Sequence, residues 1–180
     1  LSGRRLLDEL RLLFSERAPR HAVRRLSDLY LLRFIHPTLL WSNRLDRRLI
    51  AVEAALDWYK LSCFDRKISG WVVYAMALAE VMPDQAVRDM LERFPFTEPE
   101  RGAITASRFL TQQVCRTLSR RAPLRPSETV KLLTGLSDET LVFLVAWGLA
   151  NGGNAQTAKM QAQVFLPLLG TAFLLGPALR

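Results

Sequence analysis

Two cysteines and two histidines in 180 residues leave little material for thiol or metal chemistry. Cys63 and Cys115 stand far apart, each inside a helical pattern, and form no spaced set of the kind that builds a disulfide framework or a zinc site. The expectation is two buried or half-buried thiols in a reducing compartment, the cytoplasm. His21 and His36 have no partners at ligand spacing and are expected to be structural, so no metal site is assigned. Lysine is nearly missing too, at 4 residues against 21 arginines. No segment alternates apolar and polar residues strictly enough for a strand, and no fixed-period repeat runs through the chain. No uninterrupted apolar run reaches the ~20 residues of a spanning helix. Residues 71–82 and 141–150 are too short, and 164–179 is broken by Pro167, Gly170, Gly176 and Pro177. Membrane insertion is therefore not expected.

Several catalytic constellations are also missing. There is no phosphate-loop pattern of glycine and lysine, and Asn151-Gly152-Gly153-Asn154 reads as a turn with no strand before it. No Gly-x-Ser-x-Gly elbow, Cys-His arrangement or His-Asp dyad occurs. Asp57, Asp65, Asp84 and Asp89 are scattered, whereas two-metal chemistry on a triphosphate needs carboxylates clustered at one place. No catalytic residue and no cofactor is assigned to this segment.

What is present is the composition of a folded helical protein, 49% hydrophobic and 23% charged, long enough for one sizeable core or a two-lobed array. Ser2 is placed to cap a first helix with Leu6, Leu10, Leu13 and Phe14 on one face. Pro19 opens a second, expected to bury Ala22, Val23, Leu26 and Leu29 and to stop at His36-Pro37. Ser42 or Asn43 starts a third running to about Cys63, with Leu45, Leu49, Val52, Leu56 and Tyr59 inward and Arg44, Asp46, Arg47 and Arg48 outward. Ser69-Gly70 begins an almost wholly apolar helix through Met82, which has no polar face and belongs at the centre. Pro83-Asp84 restarts the chain, with Val87, Met90, Leu91 and Phe94 inward. Thr97-Glu98-Pro99-Glu100 is a capping box opening a long helix to about Arg121. Pro123 and Pro126 frame a basic hinge before Ser127, Ser137 caps an apolar helix over 138–150, and a last helix covers about 155–169. The fold expected is all-α, with about eight to nine helices. Residues 1–121 form a body and 122–180 a tail.

The net charge is +8, with an isoelectric point near 10.3. Residues 1–48 carry 11 arginines against 5 acidic residues, so most of the surplus sits at the front. Arginine forks onto phosphate oxygens, and a basic surface favours polyanions through counterion release. An arginine-rich face also serves simply to solvate a helix. The candidate phosphate contacts are Arg101, Arg108, Arg116 and Arg120 on the helix after Thr97, then Arg121 and Arg125 at the hinge.

Two stretches carry a family resemblance. Ser2-Gly3-Arg4-Arg5-Leu6-Leu7-Asp8-Glu9-Leu10, then Pro19, then Asp28-Leu29-Tyr30-Leu31-Leu32-Arg33-Phe34-Ile35-His36-Pro37, resembles the region just after the neck of the class II tRNA nucleotidyltransferases, the CCA-adding and A-adding enzymes and their poly(A) polymerase kin. Arg5 and Glu9 match the family's arginine and second glutamate, implying a structural i,i+4 pair. Arg4 replaces its first glutamate and Tyr30 its usual glycine. Leu124-x-Pro126-Ser127-Glu128-Thr129-Val130-x-Leu132-Leu133 is similar to a segment in the long C-terminal region of some members. The resemblance implies a helical body and tail that hold tRNA by its phosphate backbone. The Asp-x-Asp head, using Mg and ATP or CTP, is not identifiable here, and the start at Leu1 reads as that of a fragment. Two other readings stand beside this one: a helical protein-interaction scaffold, and self-association through the apolar stretch Val164 to Leu179.

Overall fold

The computed structural model describes residues 2–61, 67–109, 111–118 and 126–151. Among them, α-helical segments and one 3-10 turn are found and no strand: α1 (Gly3–Phe14), α2 (Pro19–Asp28), the turn Leu32–Phe34, α3 (Asn43–Leu61), α4 (Gly70–Val81), α5 (Asp84–Arg93), α6 (Glu98–Phe109), α7 (Thr111–Leu118), α8 (Pro126–Leu133) and α9 (Asp138–Asn151). The protein is all-α, as its periodicity predicts.

Helix boundaries follow local chemistry. Ser2 Oγ accepts the Arg5 amide at 3.4 Å, and Pro19 occupies the first turn of α2. Ser42 Oγ accepts from Leu45 N at 3.1 Å and Ser137 Oγ from Thr140 N at 3.2 Å, each filling one of the unpaired donors of a helix start. At the Thr97 box, Glu100 Oε2 returns to the Thr97 amide at 2.8 Å.

The end of α2 is a Schellman turn. Leu31 N donates to Leu26 O at 2.8 Å and Tyr30 N to Ser27 O at 2.9 Å, with Tyr30 in the left-handed region at φ 57°. The position where the resembling family has glycine is thus one where the backbone favours glycine.

The centre is α3, α4 and α9. Helix α9 packs most extensively on α3 and also meets α4, α6 and α7, while α4 is covered by α1, α3, α6 and α9. Val72 to Glu80 on α4 and Thr140 to Ala146 on α9 are buried throughout, which explains why neither has a polar face. Phe14 of α1 stacks on Tyr74 of α4 with ring centroids 5.1 Å apart. One buried cluster extends from Leu7 to Ala146 and includes Leu133 and Leu136 from the stretch assigned to the tail. The boundary expected at 121/122 lies outside the described residues.

Several expectations are corrected. Leu29 is exposed, because it is the C-cap residue of α2 rather than part of its inner face. Arg48 is buried, not outward, because α9 covers the side of α3 that the sequence pattern left to solvent. Arg5 and Glu9 are both exposed and no ion pair joins them; the Arg5 contact that helps start α1 is its backbone amide on Ser2. The expected last helix, the turn at 151–154 beyond Asn151, and the 164–179 stretch lie outside the described residues.

Candidate nucleic-acid interface

Glu80 is the single charged residue of α4, set near its C-terminal end. A carboxylate in so apolar a helix needs partners, since burying it unpaired would cost several kcal/mol. Two arginines from the start of α3 supply them. Arg48 grips it twice, Nε to Oε2 at 2.9 Å and Nη2 to Oε1 at 3.1 Å, and Arg44 Nη2 reaches Oε1 at 2.6 Å. A third arginine, Arg108 in the last turn of α6, donates from Nη1 to the Glu80 backbone carbonyl at 2.7 Å and from Nε to Asp84 Oδ1 at 2.8 Å. That carbonyl is among the last four of α4, which have no partner within their own helix, so the cations complete the helix end as well as the carboxylate.

Arg48 then extends the network to α9. Its Nη1 donates to the Trp147 carbonyl at 3.2 Å, its Nη2 to Asn151 Oδ1 at 3.1 Å, and its guanidinium lies 5.4 Å from the centre of the Trp147 ring. Asn151 Nδ2 returns to the Trp147 carbonyl at 2.8 Å. Burial pushes the Glu80 carboxyl up, and hydrogen bonds from Arg48 and Arg44 more than reverse this, holding it below the ordinary 4.5.

These groups line an open cleft of about 570 Å³ with Arg47, Ser107, Phe109 and Ala150. Its wall holds Arg44, Arg47, Arg48 and Arg108 against Glu80 and Asp84, a surplus of two positive charges. The four arginines are not equivalent. All three nitrogens of Arg48 are engaged by protein partners. Arg108 uses two of its nitrogens internally. Arg44 is pinned through Nη2 alone, with its side chain 58% exposed. Arg47 is exposed and its hydrogen bond goes from Nε to the Asn43 carbonyl of its own helix at 3.3 Å, leaving both terminal nitrogens unused. Arg44 and Arg47 are therefore the side chains that an anion in the cleft would meet.

The residues singled out from the sequence do not form one ridge. Arg108 belongs to the cleft. Arg101 is partly exposed with Nε 3.9 Å from Glu98 Oε1, and Arg116 is exposed on α7; neither lines the cleft. Arg120, Arg121 and Arg125 lie outside the described residues. The sequence reading missed Arg44, Arg47 and Arg48, though a signal was present in the lone Glu80 of an apolar helix, which demands cations from somewhere. Among the described residues, no three His, Cys, Asp or Glu side chains are grouped to hold a metal ion, and no helix is long and apolar enough to cross a membrane.

Elsewhere arginine also binds helices together. Arg20 of α2 forks onto Asp46 of α3 at 2.7 and 3.1 Å, and the Asp46 carboxyl is held below its ordinary value by that contact. Arg11 of α1 meets Glu100 of α6 at 3.1 Å and lies 4.8 Å from the Trp71 ring centre. Much of the arginine excess is thus internal bracing.

Comparison with known proteins gives a consistent picture. No protein-family model matches the chain. It is 36% identical over 150 residues, 81% of its length, to the A-adding tRNA nucleotidyltransferase of Geobacter sulfurreducens, and spans 17% of that enzyme. In fold it is similar to a CCA-adding enzyme solved with ATP, at a TM-score of 0.71 and 18% identity over 95% of this chain and 39% of that one. It is similarly close to the Thermotoga maritima CCA-adding enzyme complexed with tRNA, at a TM-score of 0.70 and 17% identity over 93% of this chain and 39% of that one.

Proposed function

Since the chain belongs to the tRNA nucleotidyltransferase family over the 150 residues that it shares with the A-adding enzyme, we propose that it is a helical tRNA-holding region whose cleft at the start of α3 seats backbone phosphate. The observation that carries this reading is the cleft itself, where Glu80 fixes Arg44 and Arg48 and the terminal nitrogens of Arg47 stay unused. Arg44, anchored by Glu80 yet exposed, and Arg47 in the same cleft keep spare donors that suit phosphate oxygens, and structured RNA is recognised largely by shape and backbone. Arg101 and Arg116, and Arg120, Arg121 and Arg125 beyond them, extend the contact in this proposal.

The region contributes grip and not chemistry. A catalytic head elsewhere in the complete protein, using Mg and ATP or CTP, adds nucleotides to the 3′ end of the held tRNA, and the work takes place in the cytoplasm. The 180-residue chain is accordingly expected to incorporate no nucleotide. The stretch from Val164 to Leu179 is proposed as a self-association surface, to be checked by light scattering with and without it.

Charge reversal tests the grip. Arg47→Glu is expected to weaken tRNA binding in a gel-shift titration by roughly tenfold or more, because it removes a phosphate contact and adds a repulsive charge. A protein-interaction scaffold whose arginines only solvate the surface would bind no tRNA, and unchanged binding by Arg47→Glu would remove the cleft from the account.

A further inference from the structure

The turn after α2 presents an aromatic ring in a way that folding does not explain. Tyr30 sits at φ 57°, where glycine is at ease and a tyrosine is strained, yet its side chain is 78% exposed and adds nothing to the core. The mount is firm: its amide is held by Ser27 O at 2.9 Å, and the next amide by Leu26 O at 2.8 Å. Leu29, Phe34 and Leu40 are exposed within the same short stretch of chain. Cations accompany them. Arg33 lies 5.3 Å from the Phe34 ring centre and Arg24 lies 5.0 Å from that of Trp41. Residues 24–41 hold Arg24, Arg25 and Arg33 against Asp28 alone, a net charge of +2.

A solvent-exposed ring on a firmly held turn, in a segment of net positive charge, is the arrangement on which unpaired nucleotide bases stack, with the cations drawing in the adjoining phosphates. We propose that Tyr30 is a stacking platform for an unpaired base of single-stranded RNA. The occupant is a nucleic acid rather than a protein because the segment that carries the ring is positively charged and the ring is exposed on a turn. This inference rests on the RNA reading above but uses residues that do not line the α3 cleft.

The test uses the whole 180-residue chain and a single-stranded oligoadenylate carrying one 2-aminopurine, whose fluorescence falls on stacking. Tyr30→Gly removes the ring and relieves the backbone strain, so it is expected to raise the thermal midpoint while weakening oligonucleotide binding and abolishing the quench. Replacing a stacking aromatic costs roughly five- to 150-fold in affinity. Tyr30→Phe is expected to keep binding and quench, and Tyr30→Leu, still apolar but unable to stack, to lose both. Wild-type strength in Tyr30→Gly or Tyr30→Leu, or no binding of the oligonucleotide by the wild type, would overturn the proposal. So would wild-type self-association that Tyr30→Gly abolishes, since the patch would then serve a second copy. If Tyr30 variants bind normally while Arg47→Glu loses tRNA, this inference alone fails; if tRNA binding is missing altogether, the reading it rests on has failed first.

Discussion

Glu80 shows how one carboxylate decides the placement of two arginines, while its carbonyl takes a third. It accepts from Arg48 and Arg44 through its side chain and from Arg108 through its carbonyl, so its replacement strands cations that were brought together around it. Glu80→Gln is expected to cost about 3–5 kcal/mol, as breaking a buried pair does, and urea unfolding followed by circular dichroism would measure it. Tyr30→Gly should act in the opposite direction, adding about 1 kcal/mol by removing left-handed strain from a non-glycine residue. At this scale the sequence was legible where the chemistry is local: Ser2, Ser42, Ser137 and the Thr97 box all cap as their spacing predicts. It was not legible where a partner lies far along the chain. Arg48 reads as an outward charge on α3 until α9, about a hundred residues later, closes over it.

Helices meet here through a few close contacts that tolerate little change. Gly3, in the first turn of α1, lies so close to the end of α5 that a Cβ there would fall onto the Arg93 carbonyl oxygen. Gly3→Ala is therefore expected to destabilise by about 1–3 kcal/mol, the usual range for forcing an added methyl into a filled space, read as a lowered urea midpoint. Helix α9 makes the complementary case. Val142, Phe143 and Leu144 are fully buried between α3, α4 and α6, and Phe143→Ala is expected to cost about 3–5 kcal/mol. Hydrogen exchange should then show protection lost in α3 along with α9; loss confined to α9 would mean that α9 is an appendage. The apolar character of α4 and α9 was plain in the sequence, and it correctly placed α4 at the centre. Which helices cover them was not, because neither has a polar face to set its orientation.

For the molecule as a whole, the arginine surplus divides into bracing and free charge. Arg11, Arg20, Arg48 and Arg108 tie helix to helix through Glu100, Asp46, Glu80 and Asp84. The carboxyls of Asp46 and Glu80 titrate below their ordinary values of 3.8 and 4.5, so they add stability above those values and lose it as pH falls through the lower, folded-state ones. Thermal midpoints are expected to hold between pH 7 and about 5 and to fall progressively below about pH 4.5. A midpoint unchanged down to pH 3 would mean that these pairs carry no net stability. The free charge is what remains for a ligand, and Arg47 and Arg44 are its most accessible members at the cleft. The central claim is that this region grips tRNA through phosphate. Its most direct test is the affinity of the 180-residue chain for tRNA across a salt series. The account predicts that log K falls linearly with log salt, and that Arg47→Ala lowers the slope by about one unit while weakening binding uniformly. Affinity that is flat with salt, or a slope that Arg47→Ala leaves untouched, would contradict it.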